Sequence, residues 1–188
     1  RERIGYGVFR AAMQADSVEE FKKRLRMSVE SYETAAELFE KAQPARGLYC
    51  RAMARYSDSW FVEETSRKKE LLADCWRMMK EALESFDAAG NQLGYGRAFH
   101  GLPLCLLDRY GLAEDWHESK RIVEEALKYA QKASQRLSGV EFENELAWMY
   151  TMASFLVLDA LDTGLFDEEK EKLISMVSNY LEKALGLS

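Results

Sequence analysis

Two histidines, three cysteines and a recurring Gly-Tyr-Gly are the residues of this chain whose types could do chemistry. His100 and His117 are its only imidazoles. His117 opens the tetrad HESK, which lacks the second histidine that a zinc-protease helix requires one turn on. It reads as an exposed residue near a helix start. His100 stands in GYGRAFHGLPLC (94–105), where a hydrogen-bonded core or groove role fits better than a general base. Cys50, Cys75 and Cys105 are odd in number and far apart, without Cys-x-x-Cys spacing. They indicate neither a disulfide framework nor a zinc site, and each sits among apolar residues, where a free thiol behaves as a small hydrophobe. Gly-Tyr-Gly occurs at Gly5 and at Gly94, but neither follows a strand, so neither is a phosphate loop. Close approach of two helices is the better account. Glu145 has no carboxylate partner in the sequence, and Glu168 with Glu169 reads as surface or cap charge. No catalytic set, metal-ligand set or cofactor motif emerges, and the expectation is a protein that is not an enzyme.

Charge narrows the partners. The net charge is −6 and the isoelectric point near 5.2, which disfavours nonspecific binding to nucleic acid or to an anionic membrane. The basic runs at Lys22–Arg26 and Arg67–Lys69 are interrupted or flanked by acids and read as solvated helix faces. The longest apolar runs are too short for a bilayer span. Reduced cysteines fit a cytoplasmic location. The chain starts at Arg1 rather than Met, as a fragment of a larger protein would.

Any site must be carried by helices. Only two prolines, Pro44 and Pro103, interrupt the chain, Ala, Leu, Glu and Lys are abundant, and no stretch alternates with period two. Apolar residues recur instead at steps of three and four, as in Leu72, Cys75, Met79, Ala82 and Phe86. One helical phrase appears four times: Ala35/Phe39/Ala42, Ala82/Phe86/Ala89, Ala126/Ala130/Ala133 and Val177/Leu181/Ala184. Each has spacing +4 then +3, one side of a helix, and the phrases recur every 44 to 51 residues (89 − 42 = 47, 133 − 89 = 44, 184 − 133 = 51). Recurrence at such a period marks a stacked helical repeat. Small residues at the ends of the phrase admit a neighbouring helix, and the larger middle residue fills the gap. A second helix type precedes each phrase. Tyr6, Tyr49 and Tyr95 correspond, and Arg51 and Arg97 follow in matching places.

Local signals divide the chain into eight helices in four pairs: 1–15 with 17–42, 44–60 with 62–89, 91–110 with 113–136, and 140–162 with 167–185. Ser17 with Glu20 forms a capping box, and Asp115 with Glu118 is a candidate opening for another helix. Pro44 suits a first helical turn. Gly90 and Gly111 are stop signals, Gly139 and Gly164 mark turns, and Asp167 is a candidate cap for the last helix. Pro103 removes a helical hydrogen bond near Phe99, predicting a kink or break. Trp76 and Trp148 read as core, while Trp60 and Trp116 lie near helix ends. The units fall at about 1–42, 44–89, 91–136 and 140–185, within one continuous domain.

The phrase Ala-x3-Phe-x2-Ala, followed by a turn and another small-residue helix, resembles the tetratricopeptide repeat. The resemblance implies an all-α, right-handed solenoid of about four antiparallel helix pairs. The family repeat is 34 residues long, whereas the second helices here run up to roughly 25 residues, about 38 Å. The chain is therefore similar to an extended branch of that family, and the family's peptide-clamp residues have no counterparts in it. In such arrays the first helix of each pair lines the concave side, which implies a partner-binding set of Tyr49, Arg51, Tyr95, Arg97 and His100, with Tyr6 beside them. Arginines would supply bidentate anion contacts and aromatics contact area. The same tyrosines would serve equally as buried spacers between units. Three functions follow as expectations. The first is a scaffold or regulatory module docking a peptide or partner helix. The second is a small-ligand sensor or enzyme with a pocket at the 94–105 segment. The third is a homo-oligomerising segment that associates through its C-terminal helix.

Overall fold

A computed structural model of the chain describes residues 1–137 and 142–186. Among these it contains eight α-helices and no strand. The helices are α1 (Glu2–Ala12), α2 (Val18–Phe39), α3 (Pro44–Ser59), α4 (Thr65–Ala88), α5 (Gln92–Gly111), α6 (Trp116–Arg136), α7 (Glu143–Asp162) and α8 (Lys170–Gly186). The Gly139 turn and the start of a helix at 140 fall outside the described residues. No helix among the described residues is long and apolar enough to cross a membrane.

The boundaries follow from the capping chemistry. Ser17 Oγ accepts from the Glu20 amide at 3.2 Å. At α6 Asp115 Oδ1 accepts from the Glu118 amide at 2.8 Å, and Glu118 Oε2 accepts from the amide of Glu114, the residue before the cap, at 3.1 Å. Pro44 occupies the first turn of α3, where its missing N–H costs nothing. Gly90 and Gly164 carry positive φ (64° and 77°). After each, an amide closes the six-residue ring of a Schellman turn: Asn91 to the Phe86 carbonyl at 2.9 Å, and Leu165 to the Ala160 carbonyl at 3.0 Å. Two expectations need correction. Asp167 caps no helix; it begins a short 3₁₀ turn (Asp167–Glu169) that leads into α8. Of the kink or break expected at Pro103, the break is absent: α5 runs as one helix through that buried proline, because neighbouring burial outweighs one missing hydrogen bond.

The chain forms two compact units, residues 1–94 and 95–188. In the first unit α1 packs on α2, α2 on α3 and α3 on α4. Ser28 Oγ on α2 donates to the Gly5 carbonyl at 2.9 Å, while Arg24, one turn earlier, donates to the Ala11 carbonyl at 2.5 Å. Those pairs run in opposite directions, so α1 and α2 form an antiparallel hairpin. α3 then touches both of its helices. Tyr56 meets Phe9 of α1 with ring centroids 5.6 Å apart, and Ser57 Oγ lies 3.4 Å from Ser28 Oγ of α2. The Arg46 guanidinium pairs with the buried Glu2 carboxylate on α1 and stacks on Phe39 of α2, 4.2 Å from its centroid.

In the second unit α6 packs on α7 and α7 on α8. Phe99 of α5 meets Tyr129 of α6 at 6.2 Å, and Arg109 of α5 binds Glu125 of α6 at 3.0 Å. Tyr110 of α5 donates to Asp159 of α7 at 2.8 Å. Tyr150 and Tyr180 stack between α7 and α8 at 5.0 Å.

The glycines of Gly-Tyr-Gly do what close helix packing requires. A Cβ on Gly5 would lie 2.9 Å from the Tyr32 ring, one on Gly94 2.5 Å from the Phe86 ring, and one on Gly96 2.7 Å from the Phe142 ring. The first position of each repeated phrase is buried: Ala35, Ala82, Ala126 and Val177. The last position behaves differently. Ala133 and Ala184 are buried, but Ala42 and Ala89 are exposed. α2 stops at Phe39 and α4 at Ala88, so these two alanines sit in the turns beyond, where helical spacing no longer sets the direction of a side chain. In the first two units the phrase runs past the end of its helix.

Candidate functional site

The five candidate residues divide between the units. Tyr49 and Arg51 lie on α3 in the first; Tyr95, Arg97 and His100 lie on α5 in the second. Spacing decides how each is presented. Tyr49 is buried, whereas Arg51, two residues on and roughly 200° around the helix, is half-exposed. On α5, Tyr95 is buried against Phe99, with centroids 4.9 Å apart, while Arg97 and His100 are half-buried. Both tyrosines therefore serve as spacers between helices. Of the five candidates, Arg51, Arg97 and His100 are the ones that keep part of their surface exposed.

The α3 face is a charged strip. Arg51 donates to Glu40 at 2.6 Å, and Arg55 lies 3.8 Å from Glu33, so two arginines one turn apart face two glutamates of α2. The Arg51 hydrogen bond and charge hold the Glu40 carboxyl below its usual value. A carboxylate ligand arriving at Arg51 would displace an exposed and therefore weak internal partner.

A second feature had no place among the candidates. Between α1 and α2 runs an open groove of about 600 Å³, lined by Val8 and Ala11 of α1 and by Glu20, Lys23, Arg24 and Met27 of α2. Its signal was present in the sequence. α1 carries two apolar strips, Gly5/Phe9/Ala12 and Ile4/Val8/Ala11, which is one more than a hairpin with a single neighbour needs. The first strip is buried; of the second, Val8 and Ala11 line the groove and Ile4 is exposed.

The remaining reactive groups are dispersed. The three cysteines are buried and form no disulfide. Burial pushes the Cys50 thiol up to about 12. Trp76 is buried and Trp148 is half-buried. His117 is exposed at the start of α6. Among the described residues no group of three His, Cys, Asp or Glu is placed to hold a metal ion. The α3 strip can bind through charge and the α1–α2 groove through shape. Comparison with known proteins adds no relative: no family model, no curated protein and no solved structure matches the chain.

Proposed function

We propose that the chain is a non-catalytic interaction module: a right-handed, tetratricopeptide-like array of helix hairpins that docks a peptide or a helix of a protein partner. One observation carries this reading. The first helix of the second hairpin lies on both helices of the hairpin before it, through Phe9–Tyr56, Glu2–Arg46 and Ser28–Ser57. That is how successive units of a helical solenoid pack. The strip left outward on α3 carries Arg51 and Arg55, and that on α5 carries Arg97 and His100. Guanidinium groups on a rigid helix suit an acidic peptide or a C-terminal carboxylate. The alternative is a small-ligand sensor or enzyme with an all-helical pocket around a kinked 94–105 segment, which α5 carries within one continuous helix.

The test is a panel of acidic and free-carboxylate peptides titrated against the chain and against the double variant Arg51→Ala/Arg97→Ala. A ligand bound by the parent and weakened about tenfold or more in the variant supports the assignment. Equal affinity in both removes these arginines from the site.

A further inference from the structure

The net charge of this chain is held in one place. Residues 143–186, comprising α7, α8 and the turn that joins them, carry nine Asp or Glu and three Lys (3 − 9 = −6). The rest of the chain is balanced, with 23 bases (26 − 3) and 23 acids (32 − 9). α7 is the extreme case: it has Glu143, Glu145, Asp159 and Asp162 and neither Lys nor Arg. Asp159 and Asp162 stand in its last turn, where the helix macrodipole favours cations. Asp159 has a structural use, accepting from Tyr110 at 2.8 Å. Asp162 is exposed and works against its own helix.

The same helix keeps an apolar strip in the open. α7 buries one side against α6 and α8. On the other side Trp148, Thr151, Phe155 and Leu158 follow at steps of three, four and three, with Asp162 four residues further along the same line. Trp148 is half-buried, and Phe155 is 52% and Leu158 47% exposed. Thr151 Oγ1 donates to the Ala147 carbonyl at 2.8 Å, so the strip calls for no polar partner at its centre. Neighbouring cations do not offset the acids. Arg109 of α5 is bound to Glu125 of α6, and Arg97 of α5 is matched in number by Asp108. Lys120 of α6 lies over the Phe166 ring at 5.0 Å, and the 3₁₀ turn after that ring adds three acids. On α8, Lys170 is followed by Glu171 and Lys183 is preceded by Glu182, which leaves Lys172.

We propose that the outer face of α7 docks a basic amphipathic helix of a protein partner, with the apolar stripe of that helix on Phe155 and Leu158 and its Lys or Arg side chains beside Asp162. Spacing and charge select this occupant. A row at steps of three and four is matched by a second helix with the same spacing. A second copy docking by the same face would set the four acids of α7 against the same four. An acidic peptide or an anionic membrane would meet the same repulsion. A helix with a cationic flank is attracted. One helix on a helical face lies at the small end of the interface scale, so the contact is weak and diminished by salt. It uses none of the arginines of α3 and α5, and its failure leaves the peptide reading of those arginines standing.

Fluorescence anisotropy with three synthetic peptides of about 18 residues tests it on the 188-residue chain. The first has Leu at helical steps of three and four and Lys elsewhere. The second has Glu in place of Lys. The third has the composition of the first without its period. The chain is also prepared as Phe155→Ser, as Asp162→Lys, and as Glu84→Lys, which makes the same change of charge at an exposed position of α4. Circular dichroism checks the melting points. If Phe155→Ser lowers its own, Leu158→Ser replaces it, and Asp162→Lys, which suits the helix dipole, carries the test by itself if both fall. The parent is expected to bind the first peptide at least about tenfold more tightly than the other two. Phe155→Ser and Asp162→Lys are each expected to weaken that binding about tenfold, and Glu84→Lys to leave it unchanged. Equal affinity for the first and third peptides overturns the proposal, because charge alone then suffices. So does an equal loss in Glu84→Lys, full binding in Phe155→Ser or Asp162→Lys, or a parent that binds none of the peptides. Light scattering on the chain alone closes the remaining route: self-association abolished by Phe155→Ser would give the strip to a second copy and overturn the proposal as well.

Discussion

Gly5 on α1 lies directly against the ring of Tyr32 on α2: a methyl group at Gly5 would stand 2.9 Å from Cδ2 and 3.0 Å from Cγ. Tyr32 is fully buried, so its ring has nowhere to withdraw. Gly5→Ala is expected to lose about 1–2 kcal/mol, the overpacking cost less the gain in helix propensity, seen as a melting point lower by about 3 to 6 °C. Gly7, on the same helix, has nothing within 4 Å of its Cβ position. Gly7→Ala is expected to raise stability by up to about 1 kcal/mol. Opposite signs for two glycine substitutions two residues apart would tie the seam to Gly5; a loss at both would not.

Arg46 works through the shape of its guanidinium. It pairs with buried Glu2 and lies flat on Phe39 at 4.2 Å, joining α3 to both helices of the first hairpin. A lysine would keep the charge and lose the planar contact. Arg46→Lys is expected to cost about 1 kcal/mol in urea unfolding. Arg67→Lys, at an exposed pair with Glu70, is expected to cost nothing measurable.

The helices were legible because their signals are local. The Ser17 and Asp115 caps, Pro44, Gly90 and Gly164 each act within a few residues, and each sits where the spacing placed it. What failed depends on partners distant in sequence. Nothing near Pro103 reports the packing that keeps α5 intact, and nothing near Ala42 shows that α2 stops three residues earlier. The candidate site was half legible. A tyrosine and an arginine two apart must face different sides of a helix, so Tyr49 and Arg51 could never share one surface. Which of the two turns inward depends on α2 and α4. The groove went unread because Ile4, Val8 and Ala11 look like ordinary core until the neighbours of α1 are known.

Stability is expected to fall on the alkaline side. Burial raises the Cys50 thiol from 9.0 to about 12 and the Tyr110 phenol from 10.0 to about 12, and it raises Tyr32, Tyr150 and Tyr180 as well. An acid that ionises less readily in the fold than in the unfolded chain favours the fold below its unfolded value. That contribution drains away as pH rises toward the folded value. Urea midpoints should therefore be flat from pH 7 to about 8.5 and decline from about pH 9. Cys50→Ala should lessen the first part of that decline, between pH 9 and 10, where thiols in the unfolded chain ionise ahead of most phenols. An unchanged slope in Cys50→Ala would place its cause elsewhere.

The repeated phrase makes a prediction that separates its buried from its exposed members. Ala126 and Ala130 are fully buried in α6, and a leucine at either position adds three carbon atoms to a seam with no space for them. Ala126→Leu is expected to cost about 1–3 kcal/mol. Ala42 and Ala89 occupy the same places in the sequence pattern as Ala133, yet both lie in exposed turns. Ala42→Leu and Ala89→Leu are expected to fall within about 0.5 kcal/mol of the parent, while Ala133→Leu follows Ala126→Leu. Chemical denaturation of the four variants decides between a phrase that sets the packing along its whole length and one that sets it only within the helices. If Ala42→Leu and Ala89→Leu were as costly as Ala133→Leu, those turns would have to be closed off by helices, and the ends of α2 and α4 would need redrawing.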